Sequence, residues 1–370
     1  VAACAPSSPP PLSASGPPQL PADRSEADKL VRFANWTDYL DYDPRDSSYP
    51  TLSAFTKATG ITVTYTEDID DNDTYFSKIA PQLRAGQDFG KDIVVFSDWM
   101  CHRIIRDGLA QPLDQAALPH SANLLDPLKN VSFDPGRRHS LVWQSGFAGL
   151  AYNRAKLGRE LKAVPDLWAP DLKGRVTLQS EMRDTVGLIM LAQGADITGP
   201  FARADIERGF EEVRKRLADG AVRRVKGNSY LEDFKSGNAV AGFAWSGDIF
   251  TLQDEMGSDD WQFVMPESGG ILWSDNMLIP ATSPHRKAAL QVMDYYYQPA
   301  VAARVAAFVN YICPVKGAQA ELEKLDPALA ASPFIFPSAD YVAKNAKEFR
   351  ALSPQEDSEY SATWAKVVGN

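Results

Sequence analysis

Two rhythms of apolar and polar positions alternate along this chain. "VRFAN" (31–35) reads as a strand, and "YPTLSAFTKATG" (49–60) as a helix with Thr51 as its N-cap and Gly60 as its stop. "ITVTY" (61–65) is again a strand. "TYFSKIAPQLRAG" (74–86) carries helical apolar spacing, in which Pro81 is expected to break or kink the helix. "KDIVVFSDW" (91–99) is a short, continuously apolar strand, followed by a short helix over "WMCHRIIRDG" (99–108). The alternation continues through "GRVTLQS" (174–180), a helix from about 183, a helix over 203–218, "AVAGFAWSG" (239–247), "WQFVMP" (261–266) and "GGILWSDNMLIP" (269–280). No internal repeat is visible. Strands alternating with helices predict α/β architecture with a largely parallel sheet, here arranged as two lobes.

In open α/β sheets, ligands bind beyond the carboxyl ends of the strands, and polar residues interrupt the apolar runs at those places. Trp36, Thr37, Asp38 and Tyr39 follow the first strand, and Ser97, Asp98 and Trp99 follow "DIVVF". Glu181 and Asp184 follow "RVTLQS", while Trp245, Ser246 and Asp248 follow "AGFA". Trp273 and Asp275 follow "GGIL", and "NYICPV" supplies Tyr311. Aromatic faces attract cations by about 0.5–2 kcal/mol each, and carboxylates accept charge-assisted hydrogen bonds from ammonium groups. Aromatic walls with carboxylates at separate points suit an elongated ligand with spaced positive charges. Each element also has a plainer reading. A tryptophan is more often core than site, an aspartate after a strand often caps a turn or helix, and "EDIDDND" (67–73) reads as a solvated loop. The coincidence at several strand ends is what favours a site.

Composition narrows the classes. The 370 residues suffice for two domains, with 44 % hydrophobic and 23 % charged residues. The net charge is −10 and no long lysine or arginine run is present, which argues against a nucleic-acid partner. No apolar run approaches the roughly 20 residues of a membrane span. The chain starts "VAAC" and continues with a segment so rich in proline and serine that residues 1–29 are expected to form an extended tether. Either this is a tail with an incidental cysteine, or "VAAC" resembles the end of a bacterial lipoprotein signal with Cys4 as the acylated residue. Cys101 and Cys313 are too few to staple the body, and whether they pair is open. The four histidines are scattered and no zinc-type spacing occurs, so neither a metal nor a cofactor is expected.

Taken together, "NWTDY", "DIVVFSDWM", "FDPGRRHSLVWQSGFAGLAYN", "EMRDT", "FAWSGD", "ESGGILWSDNMLIP" and "NYICPVKG" resemble the substrate-binding proteins of bacterial spermidine/putrescine ABC transporters, especially lipoprotein-type actinobacterial members. The similarity runs from about residue 31 to the C-terminus. It implies a two-lobed periplasmic-binding-protein fold (type II) with a mixed sheet in each lobe. Residues 30–146 and 274–320 would form one lobe, and 147–273 and 321–370 the other. The chain would cross between them near Gly146–Ala148 and near Trp273. The family's ligand residues map onto Trp36, Tyr39, Ser97, Trp99, Glu181, Asp184, Trp245, Trp273, Asp275 and Tyr311, and Asp98 adds a carboxylate where a neutral residue is usual in enterobacterial members. Trp99 stands where tyrosine is common, and Glu181 and Asp184 have exchanged acid types. Arg350 falls near an expected amide-bearing position, where a cation would oppose a third ammonium unless it faces solvent.

The implied function is capture of a polyamine outside the cytoplasm and delivery to an ABC permease. The protein would be a monomer that meets the membrane only through a lipid anchor, with no catalysis. Two other readings compete. A sugar also suits aromatic platforms with carboxylates. Glu181 and Asp184, one helical turn apart, suggest a two-carboxylate glycoside hydrolase, although catalytic carboxylates usually face each other across the substrate.

Overall fold

The computed structural model describes residues 20–369, so Cys4 and the chain up to residue 19 lie outside the described residues. Twelve strands occur among them: β1 (Leu30–Trp36), β2 (Thr62–Ile69), β3 (Ile93–Ser97), β4 (Asn130–Val131), β5 (Asp134–Pro135), β6 (Ser140–Asn153), β7 (Val176–Gln179), β8 (Val222–Lys226), β9 (Ala241–Trp245), β10 (Trp261–Val264), β11 (Gly270–Leu278) and β12 (Ala346–Glu348). β4 and β5 form a small ladder of their own. The other ten share one sheet in the order β2-β1-β3-β11-β6-β9-β7-β8, with β10 beside β6 and β12 beside β11.

Every residue of β6 and of β9 is buried. That is why these strands read as near-continuous apolar runs: helices or other strands cover both faces. The largely parallel sheet expected from the alternation is in fact mixed. β1 pairs in parallel with β2 and β3, and β7 with β8 and β9. β11 runs antiparallel to β3 and β6, and β6 antiparallel to β9 and β10. The two antiparallel insertions stitch the two parallel groups together. One edge of β6 pairs first with β11, as in Gly146 opposite Trp273, and then with β10 from Leu150 on, while the other edge pairs with β9, from Ala148 opposite Trp245 to Tyr152 opposite Ala241.

Local expectations fared unevenly. The helix Arg203–Ala218 has the bounds read from the sequence, and Gly60 ends the helix Pro50–Thr59 with φ 73°. Thr51 is not its cap: Pro50 is the first helical residue, and Asp41, ten residues upstream, accepts the Thr51 N–H at 2.9 Å. Pro81 does not break its helix, which runs from Asn72 to Arg84. Proline deprives the carbonyl four residues earlier of its donor; here that is Ser77, and both residues are exposed, so water can serve the carbonyl. The buried face of Tyr75, Phe76, Ile79, Ala80 and Leu83 continues past the proline and holds the helix to the core.

Within the described part of the expected tether, residues 23–28 are docked rather than free. Arg24 N–H donates to the Pro284 carbonyl (2.7 Å), Ala288 N–H to Ser25 Oγ (3.0 Å), and His285 Nε2 meets Asp28 at 2.9 Å. Cys101 and Cys313 are both buried and free. No helix among the described residues is long and apolar enough to cross a membrane.

Candidate functional site

The C-terminal ends of β1, β3, β7 and β9, with the middle of β11, open onto one cavity of about 610 Å³. All eleven residues singled out from the sequence border it. Trp36 and Trp245 meet edge to face with centroids 6.3 Å apart. The Tyr311 ring packs against Tyr39 at 5.3 Å and Trp273 at 5.2 Å. Two glycines make room for this aromatic wall. A Cβ on Gly146 would run into the Trp273 ring, and one on Gly247 would meet the Tyr311 ring at 2.6 Å.

The carboxylates sit among these rings, each oriented by a neutral donor. Asp275 accepts from Ser97 Oγ at 2.7 Å and from the Tyr39 hydroxyl at 3.0 Å. Asp184, in the first turn of the helix Met182–Ala192, accepts from Trp245 Nε1 at 2.7 Å. Asp248 accepts from the hydroxyls of Tyr311 (2.6 Å) and Tyr230 (2.9 Å). Glu181, the N-cap of the Met182–Ala192 helix, accepts from Asn72 Nδ2 at 2.8 Å. Asp98 accepts from Asn276 Nδ2 at 2.6 Å, and Arg137 Nη1 donates to Asn276 Oδ1 at 2.8 Å. The amide thus relays a buried guanidinium to the acid.

Asp184, Asp248, Asp275 and Glu181 are each at most 7 % exposed. Among the described residues none of the four has an ion pair, whereas Asp357 nearby has two. Burial pushes Asp275 and Asp248 up to about 7 and Asp184 and Asp98 to about 6, against the lowering effect of their hydrogen bonds. Glu181 is raised by burial and then by the charges of Asp71, Asp184 and Asp73. Desolvation penalises a carboxylate that lacks a counter-charge. A bound cation would reverse that penalty at several points of this cavity together.

Two residues differ from what was expected of them. The Trp99 ring already has guanidinium groups over it, Arg183 at 4.2 Å and Arg103 at 4.9 Å from its centroid. Both arginines pair with Asp357 of the C-terminal helix Pro354–Val368. Trp99 therefore borders the cavity with its cation-binding faces at least partly engaged. Arg350 borders the cavity instead of facing open solvent, but its charge is met by Glu356 at 2.5 Å and it lies over the Phe201 ring. Asp248 carries the same sequence signal as Asp275, although the resemblance maps no ligand residue onto it. Nothing in the local sequence marks Tyr230 or Asp357, which reach the site from helices far away in the chain. Asn72 lies in the run 67–73, which reads as a solvated loop but forms the end of β2 and the start of a helix, with Ile69 and Asn72 buried.

Residues 51–335 match the family described as bacterial extracellular solute-binding protein. The chain is 27 % identical over 326 residues to the spermidine/putrescine-binding periplasmic protein of Salmonella typhimurium, covering 87 % of each. It is 26 % identical over 358 residues to a putrescine-binding periplasmic protein of Escherichia coli, covering 92 % of this chain and 91 % of that one. A solved structure described as a putative spermidine/putrescine ABC transporter from Listeria monocytogenes superposes with a TM-score of 0.77 at 24 % identity, over 92 % of this chain and 98 % of that one. That last likeness establishes the fold, the two-lobed architecture of periplasmic binding proteins. The chain belongs to the family of bacterial extracellular solute-binding proteins.

Proposed function

We propose that this protein captures a polyamine, spermidine or putrescine, in the cavity and delivers it to an ABC permease. The observation that carries the reading is the set of buried carboxylates, Asp184, Asp248 and Asp275, which have no ion pair among the described residues and are enclosed by Trp36, Trp245, Trp273, Tyr39 and Tyr311. An alkyl chain fits between aromatic faces while its ammonium groups neutralise the acids. Asp248 joins the ligand residues on the same ground.

On this reading the lobes are residues 30–146 with 274–320 and residues 147–273 with 321–370. The chain passes between them where β6 and β11 pair at Gly146 and Trp273, a register that supports the first two boundaries; the third, at residue 320, falls inside the helix Ala318–Leu325. The protein acts as a monomer outside the cytoplasm, held to the membrane by acyl chains on Cys4. Mass spectrometry of the protein from its native membrane tests the anchor. Calorimetric titration with putrescine, spermidine and maltose tests the ligand. Saturable binding of either amine and none of maltose is expected; binding of maltose alone would overturn the polyamine reading in favour of a sugar.

A further inference from the structure

Asn72 is fully buried at the start of its helix and lies behind the cavity wall, not on it. Its Nδ2 donates to Ser97 Oγ at 3.0 Å and to Glu181 Oε1 at 2.8 Å, and its Oδ1 accepts the Ser97 N–H at 3.2 Å. Its own N–H also donates to Glu181 Oε1, at 3.2 Å. Ser97 Oγ in turn donates to Asp275. One continuous path, Asp275–Ser97–Asn72–Glu181, therefore connects two cavity carboxylates. Asparagine is the shortest side chain that offers both two N–H donors and an acceptor.

The neighbouring residues are joined across the same seam. The Asp70 carbonyl accepts the Asn228 N–H at 3.0 Å and its carboxylate accepts the Ser229 N–H at 2.8 Å, while Ser180 Oγ donates to Asp71. Under the proposed lobe division, residues 70–72 belong to one lobe and Ser180, Glu181, Asn228 and Ser229 to the other. Glu181 also faces three acids, Asp71, Asp73 and Asp184, and one cation, Arg183, which is already engaged by Asp357. Donors supplied by Asn72 are thus a main support for an ionised Glu181.

We propose that Asn72 is a positioning residue for ligand binding: it keeps Glu181 ionised and aimed at the cavity when the lobes are together, and ties it through Ser97 to Asp275. The inference rests on the polyamine reading. A carboxylate that loses donors to its charged form titrates at higher pH. Asn72→Ala should therefore weaken spermidine binding by about tenfold, the equivalent of one pKa unit, at pH values below the titration of Glu181 in the empty protein. The deficit should narrow steadily as the pH is raised to 9.

The quantity to measure is the ratio of variant to parental affinity at each pH, in which the ligand's own ionisation cancels. In a Glu181→Gln background, which leaves no charge to support, the ratio should lose its pH dependence. Asn72→Asp preserves shape and removes the donors, so it should widen the deficit, and it keeps the comparison open if the alanine variant does not fold. A ratio independent of pH, or equal in both backgrounds, would overturn the role of Asn72 while leaving polyamine binding intact. A parent protein that binds no spermidine would overturn the ligand reading, and this inference with it.

Discussion

Asp275 accepts two hydroxyl hydrogen bonds and, among the described residues, has no cationic partner. On the proposed function its partner is a ligand amine. Asp275→Asn keeps the shape and removes the charge, so polyamine affinity should fall by about 2–5 kcal/mol, the range for truncating one member of a buried charge pair. The melting temperature without ligand should hold or rise, because the lost charge was a burden on the empty cavity. Calorimetry and thermal melting on the same variant decide this: full affinity would leave Asp275 as a structural residue in the middle of β11. The indoles of Trp36, Trp245 and Trp273 border the same cavity. Spermidine should therefore quench or shift tryptophan emission, and most of that change should survive in Trp99→Phe, since Arg183 and Arg103 already cover part of that ring. An emission spectrum unmoved at saturation would remove the indoles from the site. At this scale the sequence was legible where a residue follows an apolar run, because that signal is local, although Trp273 and Asp275 lie within β11 rather than at its end and Tyr311 follows the helix Pro299–Val309. Asn72, Tyr230 and Asp357 were not, since only long-range pairing brings their helices to the cavity.

Elements were legible in kind and less so in their ends and directions. β6 stands apart: fourteen buried residues admit two sets of partners, and no periodicity shows where the change occurs. The change falls after Ala148; Gly146 lies before it, still opposite Trp273, whose ring lies where a side chain would begin. Gly146→Ala should cost about 1–3 kcal/mol of stability, the usual range for overpacking. It should also weaken ligand binding by displacing Trp273 and Tyr311. A lower denaturation midpoint with an unchanged slope would report the first effect, and titration the second; unchanged affinity would mean that the ring pair does not shape the site. Pro81 teaches the converse lesson. Its local rule was sound, but exposure of Ser77 and Pro81 and the continued apolar face of the helix outweighed it.

For the whole molecule, the cavity acids couple binding to pH and salt. Asp248 and Asp275 are raised to about 7 and Asp184 to about 6, from an ordinary aspartate value of about 3.9. The folded, empty protein thus holds more protons than the unfolded chain between those values. The contribution of these groups to stability is highest below pH 4 and is lost as the pH rises to about 7. A polyamine favours the charged forms, so affinity should rise from pH 5 to pH 8, with protons released on binding near neutrality. Calorimetry in buffers of different ionisation enthalpy measures that release. Affinity should also fall with added salt; a flat response to both variables would exclude charge pairing. The topology has a further consequence, in time. β3 is complete at residue 97, yet its neighbour β11 carries Asp275, 178 residues beyond Ser97. At about 5–20 residues per second, synthesis of that interval takes roughly 10–35 s. Until it ends, the open edge of β3 is exposed on the nascent chain, and an unpaired apolar edge invites association with other chains. A growing copy of this protein is most in need of a chaperone during that interval.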